Sequence, residues 1–246
     1  MIKLERPDKP QFLIDNEKSF TAILLAAIES HQGYVKIPGD IKDKLTKHYR
    51  DDRVRDVLFP SSFYKCSFCE CLPDDGGNSV QVEHFFPKSI YPECCFDWEN
   101  FLPACGKCNT SKGTLDTKIN KIINPYIIDP ESLISFSISK MCSNKTIGKD
   151  TIRELNLNST RLIKARTKKI ETISILTSEL RSIIDDYNRE SGEKAKRNRL
   201  IKLSNKVDEL DYLMSPSETY SKFSTFHIKD DSDYLESKEL LKLLDV

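Results

Sequence analysis

The sequence predicts an α+β protein in which a metal-stapled core of two strands and one helix lies between mostly helical segments. Residues 60–118 hold seven of the eight cysteines, four of the eight glycines and the only tryptophan. Two Cys-x-x-C pairs lie near the two ends of this stretch, whereas apolar residues recur at helical spacing on both sides of it. We therefore divide the chain into an N-terminal arm with helices (1–60), a central core (61–120) and a C-terminal helical region (121–246).

Composition narrows the class of protein. With 246 residues the chain is long enough to bury a sizeable core, and its formal net charge of zero indicates no particular partner. Eight cysteines are too few for a secreted, disulfide-stapled scaffold, so we expect a reducing compartment. The first apolar run, at 21–28, is too short to span a membrane, and no signal-like region precedes it. These features predict a cytoplasmic protein that does not bind membranes.

The N-terminal region is expected to begin as an extended, proline-rich arm over residues 1–16. Apolar residues then fall at three- and four-residue steps from Glu17, which predicts a helix that ends near Gly33. A second helix is expected after Pro38, with one face formed by Ile41, Leu45, His48 and Tyr49.

The C-terminal region is expected to be helical apart from a short strand at 133–138. Apolar residues from Ser159 to Tyr187 keep steps of three and four, which predicts a long amphipathic helix. Two further helices are predicted, at 195–214 and 234–244.

Four cysteines form the predicted metal frame. Two pairs, Cys66 with Cys69 and Cys105 with Cys108, can each present two thiolates to one Zn²⁺ ion, which binds four such ligands tetrahedrally. A site closed by four protein ligands has no position for water, so we expect structural zinc. Cys71 is the poorer match to this spacing, and no role is assigned to it or to Cys94, Cys95 and Cys142.

Between the two pairs lies the candidate active site. Residues 79–84 alternate like a strand, "FLPAC" is the expected return strand, and Asn109 is expected to cap a helix that runs to about Lys118. This arrangement would bring Glu83, His84 and Asn109 together. A neutral imidazole can take a proton from water, and carboxylate and amide oxygens suit Mg²⁺ or a similar ion. For an isolated Glu-His pair, a surface or satisfied core pair would be the more common explanation.

The stretch from Lys65 to Gly113 resembles the HNH endonucleases, which have a ββα-metal core. The matching pieces are "CSFC", "VEHFFP", "WENFLPAC" and "CGKCNTSKG". The resemblance implies that His84 is the general base and that Glu83 and Asn109 bind catalytic Mg²⁺ or Mn²⁺. It further implies that Asn100 holds the loop that bears the histidine and that Lys112 contacts phosphate. Glu83 stands where these motifs usually have Asp, which preserves metal binding.

A narrower resemblance covers most of residues 1–170. The segments "IKLERPDKP", "KCSFCE", "EHFFPKSIYPECCFDWENFLPAC" and "DTIRELNLNSTRLIKAR" resemble the HNH subunit of Septu-type anti-phage systems, a group that includes HNH effectors linked to retrons. This resemblance implies an ABC/SMC-like ATPase as a dedicated partner.

Several cations are candidates for binding nucleic acid. Lys88 follows the Glu-His pair, and five cations without an intervening acidic residue occur farther along the chain: Arg161, Lys164, Arg166, Lys168 and Lys169. The same five are also explained as the solvated side of an amphipathic helix, and that explanation is slightly favoured.

Taken together, residues and resemblance predict metal-dependent hydrolysis of nucleic-acid phosphodiesters, with DNA favoured over RNA, in phage defence. Two alternatives stay open. One is a stand-alone restriction-type HNH nuclease without an ATPase, and the other is a zinc-ribbon nucleic-acid-binding module whose Glu-His pair is inert.

Overall fold

The computed structural model describes residues 1–73 and 80–244. Residues 74–79, which belong to the predicted central core, and residues 245–246 lie outside the described part. The chain divides into two units, one formed by Met1–Ile134 with Cys142–Leu157 and the other by Ser135–Met141 with Asn158–Val246. Both helices and small sheets are present, so the predicted α+β class is confirmed.

The first unit carries five α-helices and one two-stranded sheet in its described residues. In chain order its elements are α1 (Gln11–Ser30), α2 (Gly39–Thr46), α3 (Asp52–Leu58), β1 (Val80–His84), β2 (Phe101–Cys105), α4 (Gly106–Lys112) and α5 (Thr146–Glu154).

Helix α1 begins within the segment predicted to be extended. Pro10 precedes its first residue in an extended conformation, which suits a proline because its fixed φ and missing N–H are tolerated at a helix start. The helix buries Leu13 and Leu24. It ends at Ser30, and the predicted stop Gly33 adopts φ 139°, a conformation that favours glycine.

Strands β1 and β2 form an antiparallel ribbon that packs on helices α1 and α3. The register pairs Val80 with Cys105 at one end and His84 with Phe101 at the other. Phe101 and Val82 join an apolar cluster whose other buried members are Leu13, Val54, Leu58, Phe59 and Trp98. The ribbon is therefore fixed to the core through one apolar face.

Helix α4 follows β2 without a loop. It begins at Gly106, because the Sγ atom of Cys105 accepts a hydrogen bond from the backbone N–H of Cys108 and caps the helix. It ends at Lys112, since Gly113 adopts φ 50° and turns the chain away. The predicted helix from Asn109 to Lys118 was therefore placed too late at both ends.

The second unit is a helical bundle with a small hairpin. Its elements are β3 (Ser135–Ser137), β4 (Lys140–Cys142, whose last residue is counted in the first unit), α6 (Thr160–Arg189), α7 (Glu193–Met214), α8 (Ser221–Ile228) and α9 (Ser232–Leu241). Helices α6 and α7 bury an apolar seam that includes Leu180, Ile184, Leu203 and Leu210, and residues from α8 and α9 complete this core. Helix α8 was not predicted. Within 1–73 and 80–244, no helix is both long and apolar enough to cross a membrane.

Candidate active site

The four predicted cysteines lie together at one end of the ribbon. The possible ligand atoms of Cys66, Cys69, Cys105 and Cys108 all lie within 4.8 Å of one another, and all four side chains are buried. Hydrogen bonds from neighbouring thiols, that of Cys108 first, lower the pKa of Cys105 and favour a thiolate there. Four converging sulfur atoms fit a tetrahedral metal such as zinc.

Cys71 lies beside this cluster. Its Sγ atom is 3.3 Å from that of Cys69, and its backbone carbonyl accepts a hydrogen bond of 2.9 Å from the N–H of Cys66. From spacing alone, Cys71 was the poorer candidate for a zinc ligand. The structure places its Sγ atom next to the four-cysteine cluster.

His84 is buried at the other end of the ribbon. Its Nε2 atom lies 2.9 Å from the carbonyl oxygen of Cys95, which can only accept a hydrogen bond, so Nε2 carries the proton. In the neutral ring the lone pair then resides on Nδ1. Tyr49 and Phe101 contact the imidazole ring in T-shaped arrangements, with ring centroids 4.5 and 5.3 Å away. Burial, with a smaller contribution from Lys88, lowers the pKa of His84 to about 3.

Glu83 is buried and paired with Lys112. The Nζ atom of Lys112 lies 2.7 Å from the carboxylate of Glu83 and donates a second hydrogen bond, also 2.7 Å, to the carbonyl oxygen of His84. Burial raises the pKa of Glu83, and Lys112 opposes this shift. Lys112 was predicted to contact phosphate, and its side chain is instead enclosed and bound to these two acceptors.

Asn100 ties together two points of the loop that follows His84. Its Oδ1 atom accepts a hydrogen bond from the backbone N–H of Phe86 (2.6 Å), while Nδ2 donates to the carbonyl oxygens of Phe86 and Cys94 (3.0 and 2.9 Å). With 1% of its surface exposed, Asn100 has no access for a substrate. Its contacts hold the loop that follows the histidine.

A cleft of about 200 Å³ opens over these groups, and Glu83, His84, Lys88 and Asn109 all line it. The Nδ2 atom of Asn109 donates a hydrogen bond to Gln81 (2.7 Å). The amide oxygen Oδ1 is therefore the atom of Asn109 that could bind a metal ion. A carboxylate and an amide oxygen at one cleft fit a hard divalent ion such as Mg²⁺.

Two tyrosines of the N-terminal helical region also line the cleft, although neither was predicted to belong to a site. Tyr34 lies between α1 and α2, and Tyr49 lies in a 3-10 turn between α2 and α3. The Nζ atom of Lys88 is 5.0 Å from the centroid of the Tyr49 ring. The one available signal was the position of Tyr49 on the apolar face of a predicted helix.

The five cations of α6, which belong to the second unit, do not share one surface. Arg161, Lys164 and Lys168 are exposed, whereas Lys169 is half-buried and pairs with Glu218 at 3.0 Å. Arg166 is 1% exposed, and its Nε atom donates to the carbonyl oxygen of Leu162. The assignment of Arg166 to a nucleic-acid-binding surface was therefore wrong, because its position on α6 faces inward.

Two known proteins are similar to this chain. The Septu protein PtuB of Bacillus thuringiensis is 35% identical over 183 residues, which are 72% of this chain and 64% of that protein. Protein ea31 of Escherichia phage lambda is 34% identical over 89 residues, or 35% of this chain and 27% of that protein. The predicted resemblance to a Septu component is confirmed, although the chain spans less than two thirds of the length of either relative. No family model matches the chain.

Proposed function

We propose that this chain, a relative of Septu protein PtuB, is a metal-dependent HNH endonuclease and the effector of an anti-phage defence system. A single observation carries the proposal. Glu83, His84, Lys88 and Asn109 line one cleft, and the histidine in it is held as a neutral base. Phosphodiester hydrolysis needs such a base beside a divalent ion and a cation for phosphate.

In the proposed reaction, His84 acts as the general base. Its Nδ1 atom takes a proton from water, and the resulting hydroxide attacks phosphorus while the bond to the leaving oxygen breaks. The carbonyl oxygen of Cys95 holds the Nε2 proton throughout, and therefore keeps the ring in the tautomer that can accept on Nδ1.

Glu83 and Asn109 would hold Mg²⁺ or Mn²⁺ through their side-chain oxygens. When bound, such an ion stabilises negative charge on the phosphate and on the leaving oxygen. Lys88, which is half-buried and lines the same cleft, would bind a phosphate oxygen of the substrate. Asn100 is a positioning residue, since it acts only through the loop that carries Lys88.

Nuclease activity in the presence of Mg²⁺ or Mn²⁺ tests the proposal, with any required ATPase added. His84→Gln keeps an N–H donor for the Cys95 carbonyl but removes the basic nitrogen, so activity should fall by about 10²–10⁴-fold. Glu83→Ala and Asn109→Ala should instead weaken metal dependence and recover partly at high metal concentration. Lys107→Gln, on the exposed side of α4, is the matched control.

Two results would contradict the proposal. Full activity in His84→Gln would exclude the histidine as base. A defect that appears only together with loss of zinc would return Glu83 and His84 to a structural role and favour a zinc-ribbon binding module.

The partners of the proposed nuclease are nucleic acid, with DNA favoured over RNA, and an ABC/SMC-like ATPase. The similarity to a Septu protein supports the second partner. Co-purification with an ATPase encoded beside this chain is the direct test. A fully active nuclease without any ATPase would favour a stand-alone restriction-type enzyme.

A further inference from the structure

Lys112 occupies an unusual position for a lysine. Its side chain is fully enclosed, and its ammonium group lies between the carboxylate of Glu83 and the carbonyl oxygen of His84, at 2.7 Å from each. Both acceptors belong to the two residues on which the proposed chemistry depends. An enclosed lysine normally requires such a partner, because burial of an unpaired charge is costly.

We propose that Lys112 is an internal counter-cation that competes with the divalent metal ion for Glu83. This inference rests on the proposed function, since it takes Glu83 as a metal ligand. Lys112 neutralises the buried carboxylate before the ion arrives, and the ion binds by displacing the ammonium group from Glu83.

Charge and geometry both favour competition. A carboxylate at 2.7 Å from an ammonium nitrogen cannot receive a divalent cation nearby without strong repulsion between the two cations. The repulsion is weakly screened, because the Glu83 and Lys112 side chains are 5% and 0% exposed. The carbonyl oxygen of His84 remains as a second acceptor for Lys112, so the ammonium group can move away from Glu83 and still keep a partner.

The position of Lys112 on α4 also places its ammonium group close in sequence to the second proposed metal ligand. Lys112 is the last residue of α4, where the carbonyl ends of the helix favour a cation. Asn109, the other proposed metal ligand, lies three residues earlier, and residues three apart are neighbours on a helix surface. The competing ammonium group and the metal ligand are therefore held by the same helical turn.

The affinity for Mn²⁺, measured by electron paramagnetic resonance on zinc-loaded protein, tests the competition without any assay of activity. Lys112→Gln keeps hydrogen-bond donors but removes the charge. We expect it to bind Mn²⁺ at least tenfold more tightly than the unmodified chain. Lys107→Gln, on the same helix, should leave the affinity unchanged, and Glu83→Gln identifies the signal that belongs to this site.

A second measurement uses the unmodified chain and does not depend on the folding of a variant. The enclosed amine of Lys112 should react slowly with an acetylating reagent, and saturating Mn²⁺ should raise its rate of labelling several-fold, as read by mass spectrometry. The exposed Lys107 serves as internal reference.

The outcomes separate the two proposals. Tighter Mn²⁺ binding in Lys112→Gln, or metal-dependent labelling of Lys112, supports the counter-cation. Unchanged affinity and continued protection of Lys112, with Mn²⁺ binding still abolished by Glu83→Gln, overturn it while the metal site stands. Mn²⁺ binding that Glu83→Gln leaves intact overturns the proposed metal site and the counter-cation together.

Discussion

The two ends of the β1–β2 ribbon differ in what their polar groups contact. At one end, Cys105 and its three partners face one another, so their sulfur atoms form a closed set. At the other end, His84, Lys112 and Asn100 each bind backbone carbonyls, and the cleft remains open. The ribbon has five residue pairs, so its two ends are four residues apart, which corresponds to roughly 13 Å along a strand.

This difference indicates how each end should respond to substitution. A closed set of ligands fails as a whole when one member is lost, because the metal and its folding free energy are lost with it. A side chain that binds backbone oxygen can be replaced while the ribbon stays paired. We therefore expect substitutions at the cysteine end to unfold the core and substitutions at the cleft end to alter chemistry, with smaller costs in stability.

The largest expected effect is at the cysteine end. Binding of zinc to such a site contributes on the order of 10 kcal/mol, comparable with the whole stability of a domain. Cys105→Ser or Cys108→Ser should therefore unfold the central core, as measured by limited proteolysis and zinc content. Cys94→Ser, which lies outside the cluster and is half-buried, is the control. Unchanged zinc content and thermal stability in Cys108→Ser would show that Cys108 is not a ligand on which the fold depends.

Asn100 provides an intermediate test, because its side chain makes three hydrogen bonds to the loop beside the cleft. Asn100→Ala removes three partly buried hydrogen bonds, at about 1 kcal/mol each, and should lower the free energy of unfolding by about 2–4 kcal/mol. Zinc content should remain that of the unmodified chain. Urea denaturation measures the first expectation and elemental analysis the second, and zinc loss would remove the distinction between the two ends.

The low pKa of His84 predicts how stability depends on pH. The folded group has a pKa of about 3, whereas the unfolded group takes up a proton near 6.5. Below pH 6.5 the unfolded chain therefore binds more protons, so stability falls as pH falls, by about 1.4 kcal/mol per unit from this residue. The loss continues until the folded pKa is approached.

His84→Gln is the reference for this measurement, because Gln does not titrate. Denaturation at pH 7.5 and 5.5, without added divalent ion, should show the unmodified chain losing about 1.4 kcal/mol more than the variant. An equal loss in both would mean that His84 is not shielded from solvent.

The smallest effect is expected far from both ends of the ribbon in sequence, on α6. Lys164→Gln and Lys168→Gln remove exposed cations, and each should reduce the salt dependence of nucleic-acid binding by roughly 0.7–0.9 in the log–log slope. Fluorescence anisotropy at several salt concentrations measures this slope. Lys202→Gln on α7 is the matched control. An equal change in that variant would indicate that nucleic acid is attracted by a diffuse positive potential rather than by a defined face of α6.

The cysteine end was predictable from sequence because spacing alone determines which thiols can share an ion. Two Cys-x-x-C turns identified all four members of the cluster. The long helices α6 and α7 were predictable for a similar reason, since an apolar period maintained over many residues leaves few alternatives. Helix α1 was placed too late, because its first turn has no polar cap residue to mark it.

The cleft was only partly predictable, since its partners come from distant segments. The motif identified Glu83 and His84, but the pairing of Glu83 with Lys112 and the contact with the Cys95 carbonyl depend on register and on loop geometry. Tyr49 reaches His84 from 35 positions earlier in the chain. Arg166 shows the reverse error, because a run of cations hides which member of it faces the core.

Helix α4 has only seven residues, yet it carries Cys108, Asn109 and Lys112. Successive residues of an α-helix are rotated by about 100° around the helix axis. A deletion or insertion of one residue between Cys108 and Lys112 would therefore turn the lysine away from Glu83 while the cysteines stayed in place. Across related genes, this segment should tolerate exchanges of one residue for another far better than any change in its length.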